Sequence, residues 1–179
     1  SDASICVAVG DLNGDGKPDI VIADPDNNAI SVFPNTSSVG SISFVAEYPI
    51  PLPLPSANYA IYAVAIGDLD HDGMPDIAAC GTGNDLVSVI HNSGSVGGAL
   101  SFGNRTEFTV GISPESLTVG DLDGDGFPDI VAGNNGDNSL SILRNTSTPG
   151  HISFAITTQA TGGGPYAVAI ADLDGDGHP

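Results

Sequence analysis

One nine-residue pattern, Asp-x-Asp/Asn-x-Asp-Gly-x-Pro-Asp, occurs four times in 179 residues and leaves little freedom in what the chain can fold into. The first copy carries Asp11, Asn13, Asp15, Gly16, Pro18 and Asp19, and the second carries Asp68, Asp70, Asp72, Gly73, Pro75 and Asp76. The third carries Asp121, Asp123, Asp125, Gly126, Pro128 and Asp129. The fourth, Asp172, Asp174, Asp176, Gly177 and Pro179, lacks the last Asp. Oxygen-bearing side chains at alternate positions, around a glycine that permits a sharp turn, are what a hard cation asks of a loop. Crowded carboxylates otherwise repel one another. At about 4 Å two like charges cost about 1 kcal/mol in water and about 4 kcal/mol at an effective dielectric near 20. A divalent cation turns that repulsion into coordination.

Numbering each loop from its first Asp, positions 1, 3 and 5 offer side-chain oxygens. Position 7 varies freely (Lys17, Met74, Phe127, His178), as expected of a residue that gives only its backbone carbonyl. Position 9 (Asp19, Asp76, Asp129) closes the cage with one or both oxygens. An all-oxygen set favours calcium, about one ion per repeat, over zinc, which prefers His and Cys. Magnesium demands tighter octahedral geometry and keeps its waters. An EF-hand is excluded: position 12 is Ile22, Ala79 and Ala132 instead of Glu, and Pro at position 8 denies the exiting chain a helical start. The plain alternative is a solvated acidic turn, and four copies in register argue against it.

Successive loops begin 57, 53 and 51 residues apart. A period near 50 points to propeller blades or a related array. Each unit reads as four strands. Strand one precedes the loop (Val7–Val9, Val64–Ile66, Leu117–Val119, Val168–Ile170), and strand two leaves it (Ile20–Ala23, Ile77–Cys80, Ile130–Gly133). After a turn rich in Asn, Asp and Gly comes strand three (Ala29–Phe33, Leu86–Ile90, Ser139–Leu143), and strand four lies around Phe44, Phe102 and Phe154. No segment has helical periodicity. The expected fold is all-β, built of four-stranded antiparallel β-propeller blades, with repeats over 1–57, 58–110 and 111–161 and the start of a fourth over 162–179.

The run Gly10-Asp-Leu-Asn-Gly-Asp-Gly-Lys-Pro-Asp-Ile20 and its copies resemble the FG-GAP/VCBS repeat family. Such calcium-binding blades occur in integrin alpha-subunit propellers and in many secreted bacterial proteins. The likeness covers nearly the whole chain, and the stretch Ser141–Ser147 followed by Ile152-Ser-Phe154 is similar to the bacterial branch. Departures are a Gly-Ala-Pro reduced to Ala23-Asp24-Pro25 and no Phe-Gly before strand one. The resemblance implies a β-propeller, calcium in the loop between the first two strands of each blade, and an extracellular or cell-surface setting. A closed propeller needs about four to eight blades, so the chain is expected to be a piece of a longer protein, or to complete a ring or fibre with other copies of itself.

Composition narrows the function. Twenty-two acidic residues against three basic ones give a formal charge of −19, and fourteen of the acids lie in the four loops. Lys17, Arg105 and Arg144 alone provide no electrostatic footprint for nucleic acid. No apolar run approaches the roughly 18 residues of a membrane span. Cys6 and Cys80 read as small buried thiols, not as a disulfide. His71, His91, His151 and His178 occupy unrelated repeat positions and read as loop histidines. Glu47, Glu107 and Glu115 show no catalytic pairing, and no nucleophile or phosphate-loop motif is present, so no enzyme activity is expected. Sequons at Asn35, Asn104 and Asn145 are candidate glycosylation sites, weighed against Asn as this repeat's turn residue. Tyr48, Tyr59, Tyr62 and Tyr166 read as blade packing more than as a sugar platform. The expectation is a non-catalytic, extracellular scaffold that recognises a glycan or a surface protein. The alternatives are a fibre subunit built from successive chains, or an accessory propeller of a secreted polysaccharide-processing enzyme.

Overall fold

The computed structural model describes residues 6–25, 27–51, 60–177 and 179. Among these residues there are twelve strands and no helix. In the first sheet β1 (Val7–Gly10), β2 (Asp19–Asp24), β3 (Ala29–Phe33) and β4 (Tyr48–Pro51) lie side by side in chain order. The second holds β5 (Ala60–Gly67), β6 (Asp76–Thr82), β7 (Leu86–Asn92) and β8 (Phe102–Thr109). The third holds β9 (Pro114–Gly120), β10 (Asp129–Asn134), β11 (Ser139–Asn145) and β12 (Phe154–Ala160). Every pairing is antiparallel, and each acidic loop is the hairpin between the first two strands, with Gly10, Gly67 and Gly120 opposite Asp19, Asp76 and Asp129. These are the four-stranded blades of a β-propeller.

Local chemistry accounts for the elements. The short apolar runs after each loop, β-branched in the first and third and mostly small in the second, alternate faces with a period of two. The turn into strand three needs one residue in the left-handed region, which Asn28, Asp85 and Asn138 supply at φ of 51°, 54° and 55°; Asn and Asp tolerate that region better than most side chains. Apolar residues fill two clusters, each between neighbouring sheets. Val21, Ile30 and Val32 of the first sheet meet Ile61, Val64, Ile77 and Ile90 of the second. Ala63, Ala78, Cys80, Val87 and Val89 of the second meet Leu117, Ile130 and Leu143 of the third. The middle sheet is therefore covered on both faces, so Asp76–Gly81 is buried throughout while β2 alternates.

Two strand expectations are corrected. Val168–Ile170 forms no strand: the 179 residues contain no strand two of the fourth repeat for it to pair with. In the first repeat the fourth strand is β4, not the segment around Phe44, which makes only an isolated bridge to Asn35. Pro34 accepts the Val45 N–H but has no amide hydrogen to return, and the ladder breaks there. The equivalent residues His91 and Arg144 lie inside β7 and β11, and β8 and β12 begin at Phe102 and Phe154. Both cysteines are free thiols; Cys80 is buried, and Cys6 Sγ lies 3.6 Å from the Val64 carbonyl oxygen.

Candidate metal centres

Each loop is folded by its own carboxylates. In loop 1, Asp11 Oδ1 accepts the Asp15 N–H at 3.1 Å and Oδ2 accepts the Gly16 N–H at 2.7 Å. Loop 2 repeats this with Asp68 and the amides of Asp72 and Gly73, at 3.1 and 3.0 Å. In loops 3 and 4, Asp121 and Asp172 accept from Gly124 and Gly126 and from Gly175 and Gly177. The position-6 glycines have φ of 82° to 91°, where a side chain would be strained. Position 5 caps position 7: the amides of Lys17, Met74 and Phe127 donate to Asp15, Asp72 and Asp125 at 2.9, 2.8 and 2.9 Å. Their side chains take three different courses. Lys17 Nζ lies 3.8 Å from Asp15, Met74 is buried, and the Phe127 ring lies 4.7 Å from that of His71. His178 lies outside the described residues.

Position 9 ties loops 2 and 3 to strand three and loop 1 to Asn35, just past β3. Asp19 accepts the Leu12 and Asn35 amides at 3.0 and 2.7 Å, Asp76 those of Leu69 and Asn92 at 3.0 and 2.8 Å, and Asp129 those of Leu122 and Asn145 at 2.8 and 2.7 Å. All three carboxylates are buried. Burial pushes the Asp76 carboxyl up to about 7, against the Asn92 amide that lowers it, and the nearby Asp70 charge adds to the rise. Burial raises Asp19 in the same direction.

The structure brings carboxylate oxygens of Asp68, Asp70 and Asp76 within 4.8 Å of one another, and likewise Asp121, Asp123 and Asp129, and the exposed Asp172, Asp174 and Asp176. Loop 1, with Asn13 at position 3, presents no such trio of carboxylates among the described residues. The donor set fits a hard divalent ion: it is acidic, almost wholly oxygen, and contains buried carboxyls whose charged form is disfavoured by burial and by neighbouring carboxylates.

Two basic side chains reach these clusters from strand three, which sequence reasoning missed. His91 Nε2 lies 3.1 Å from Asp70 and 3.3 Å from Asp72. Arg144 Nε donates to Asp123 Oδ2 at 2.6 Å, and this hydrogen bond holds the Asp123 carboxyl below its ordinary value. The available signal was positional: Pro34, His91 and Arg144 each stand fifteen residues beyond the position-9 Asp.

The next blade buttresses loops 1 and 2. Asn92 Nδ2 donates to the Leu12 carbonyl of the first blade at 2.7 Å and to Pro75 at 3.0 Å; Asn145 Nδ2 donates to Leu69 at 2.9 Å and Pro128 at 2.7 Å. The Gly97 amide donates to Asn13 O at 2.6 Å, and that of Gly150 to Asp70 Oδ2 at 2.8 Å. Asn145, a sequon residue, is thus buried with its amide spent inside the fold. Asn35 donates to Pro18 O at 2.7 Å, and Asn104 is exposed on β8.

Elsewhere, an open cleft of about 320 Å³ is lined by Cys6, Tyr62, Glu115, Ser116 and Tyr166 among others. Glu115 accepts a hydrogen bond from Asn135, and Glu107 pairs with Arg105 at 2.7 Å. No helix of the described residues is long and apolar enough to cross a membrane.

The comparisons agree with this architecture. The FG-GAP-like repeat model matches residues 11–79, 68–132 and 121–179. Human integrin alpha-6 is 34% identical over 152 residues, covering 77% of this chain and 13% of the relative. Xenopus laevis integrin alpha-4 is 31% identical over 157 residues, covering 79% and 15%, and human integrin alpha-7 is 30% identical over 151 residues, covering 75% and 12%. The chain spans about an eighth to a seventh of the length of these relatives. The repeat matches together run from residue 11 to residue 179 through all four acidic loops, and on that ground the chain belongs to the FG-GAP-like repeat family.

Proposed function

We propose that this chain is a calcium-stabilised, non-catalytic segment of an extracellular β-propeller that serves as a recognition or adhesion scaffold for a glycan or protein. The observation that carries the reading is the gathering of positions 1, 3 and 9 in loops 2 and 3, around buried Asp76 and Asp129. Asp68, Asp70, Asp72 and Asp76, with the Met74 carbonyl, would hold one ion; Asp121, Asp123, Asp125 and Asp129, with that of Phe127, a second. Asp11, Asn13, Asp15 and Asp19, with that of Lys17, would hold a third. Asp172, Asp174 and Asp176 supply part of a fourth. Bound calcium supplies positive charge that offsets carboxylate repulsion, so its role is structural. An extracellular setting, where calcium is plentiful, suits such sites. The cleft between Tyr62, Glu115 and Tyr166 supplies rings and a carboxylate for a ligand.

Each site filled at a hundred times its Kd adds about 2.7 kcal/mol, and in a chain of this size 1 kcal/mol moves Tm by about 2–4 °C. Chelator is therefore expected to lower the melting temperature by at least about 5 °C, and a melt unchanged by chelator overturns the reading. A second reading is that blades of successive chains join into a fibre, through a face that another copy or a preceding blade could cover. Val7 and Val9 on the first blade are exposed, whereas Val64 and Leu117, which match Val7 in the repeat, are buried against a preceding blade. Light scattering separates the two: filaments support the fibre, a stable monomer excludes it.

A further inference from the structure

Loops 2 and 3 fold alike but meet different cations from their own strand three. At the same repeat position the first blade has Pro34, with no side-chain donor, the second has His91, and the third has Arg144. His91 carries charge only when protonated, whereas the guanidinium is always charged. Arg144 bridges positions 3 and 5 of loop 3, with Nε 2.6 Å from Asp123 Oδ2 and a terminal nitrogen 3.4 Å from Asp125 Oδ2. The other oxygens of the same carboxylates accept the Asp125 and Phe127 amides at 3.3 and 2.9 Å. Both carboxylates are therefore engaged on both oxygens by the chain's own groups, and two of the four oxygens face a fixed positive charge.

We propose that Arg144 is an internal counter-ion that sets the cation demand of loop 3. Its guanidinium neutralises part of the loop's charge, so a divalent ion must compete with it for Asp123 and Asp125. The inference rests on the reading of the loops as calcium sites. It makes the residue fifteen past the position-9 Asp a determinant of affinity for each loop, independent of the ligands themselves. Loop 1, with Pro34 there, lacks this device.

Calorimetric titration of calcium into the chain at fixed ionic strength tests it. R144Q is expected to keep the wild-type stoichiometry and tighten one site about tenfold, the scale for removing a unit charge from beside a divalent ion at a largely exposed position. The change should vanish when loop 3 is silenced by Asp121→Ala. The reciprocal variant P34R should weaken one site by a similar factor, which keeps the idea open to refutation if R144Q fails to fold. Calcium binding at wild-type affinity in both R144Q and P34R overturns the role of Arg144 and leaves the calcium sites standing. Tightening that persists with Asp121→Ala also overturns it. Absence of calcium binding in the wild type and in R144Q removes the sites and the proposal together.

Discussion

The position-9 aspartate carries more of the fold than a ligand needs to. Asp76 is buried and takes two main-chain amides, from Leu69 and Asn92; without it both amides are orphaned in the interior, each at about 1–3 kcal/mol. Asp76→Ala is expected to cost roughly 2–4 kcal/mol in urea denaturation even with chelator present, from those same two amides. Asp72→Ala, at a partly exposed position, should cost under about 1 kcal/mol without metal. The pH dependence follows from burial. The folded pKa of Asp76 is raised to about 7 from an unfolded value of 3.8, so between those values the folded state binds the extra proton. In chelator, stability should therefore fall as pH rises from 4 to 7. Asp19 shifts in the same direction, while the lowered carboxyls Asp123, Asp137 and Asp172 act only below pH 3.8. Saturating calcium should flatten the slope by supplying the counter-charge. Thermal melts at pH 5 and pH 7, with and without calcium, check it, and a slope of opposite sign in chelator removes the argument.

Individual elements were legible to different depths. Short apolar runs bounded by the acidic loop and a polar turn placed strands two and three to within two residues; β2 shows the period of two of a half-buried strand, while β6 and β10, buried on both faces, do not. What spacing could not show was which face met which neighbour, and so the contacts of His91 and Arg144 across the hairpin stayed hidden. The glycine that ends strand one is a case in point. Beside the loop motif it reads as part of a turn, yet it answers to the next blade: a Cβ on Gly67 would lie 2.7 Å from Val119 Cγ1, and one on Gly10 would lie 3.1 Å from Ile66 Cγ2. Gly120 faces Ile170 in the same way, at 3.2 Å. Gly67→Ala is expected to cost about 1–3 kcal/mol through overpacking. Trimming the neighbour should recover part of it, so a Gly67→Ala/Val119→Ala cycle in urea should give a favourable coupling energy of at least about 0.5 kcal/mol. Additive effects would place the strain elsewhere.

At the scale of the whole molecule, burial follows the order of the blades. Leu12 and Leu69, at position 2 of their loops, are fully buried beneath the next blade, Leu122 is half-buried, and Leu173 is 94% exposed. The other end mirrors this: Val7 is 53% exposed, while its repeat-equivalents Val64 and Leu117 are 3% and 9% exposed. A blade in this fold is thus completed by its neighbours, as in any repeat array whose stability is a sum of unit and interface terms. The same valine should then matter or not according to what covers it. Val64→Ser removes apolar contacts between the first two sheets and puts a hydroxyl in their place, which should cost about 2 kcal/mol or more. Val7→Ser touches a face with no blade of the described residues against it and should change stability by less than about 0.5 kcal/mol. Where further blades or another copy of the chain cover that face, Val7→Ser should become as costly as Val64→Ser. Paired urea denaturation of the two variants, in this chain and in a form extended by preceding repeats, measures the interface directly, and equal costs in the unextended chain would mean that burial between blades is not what holds them.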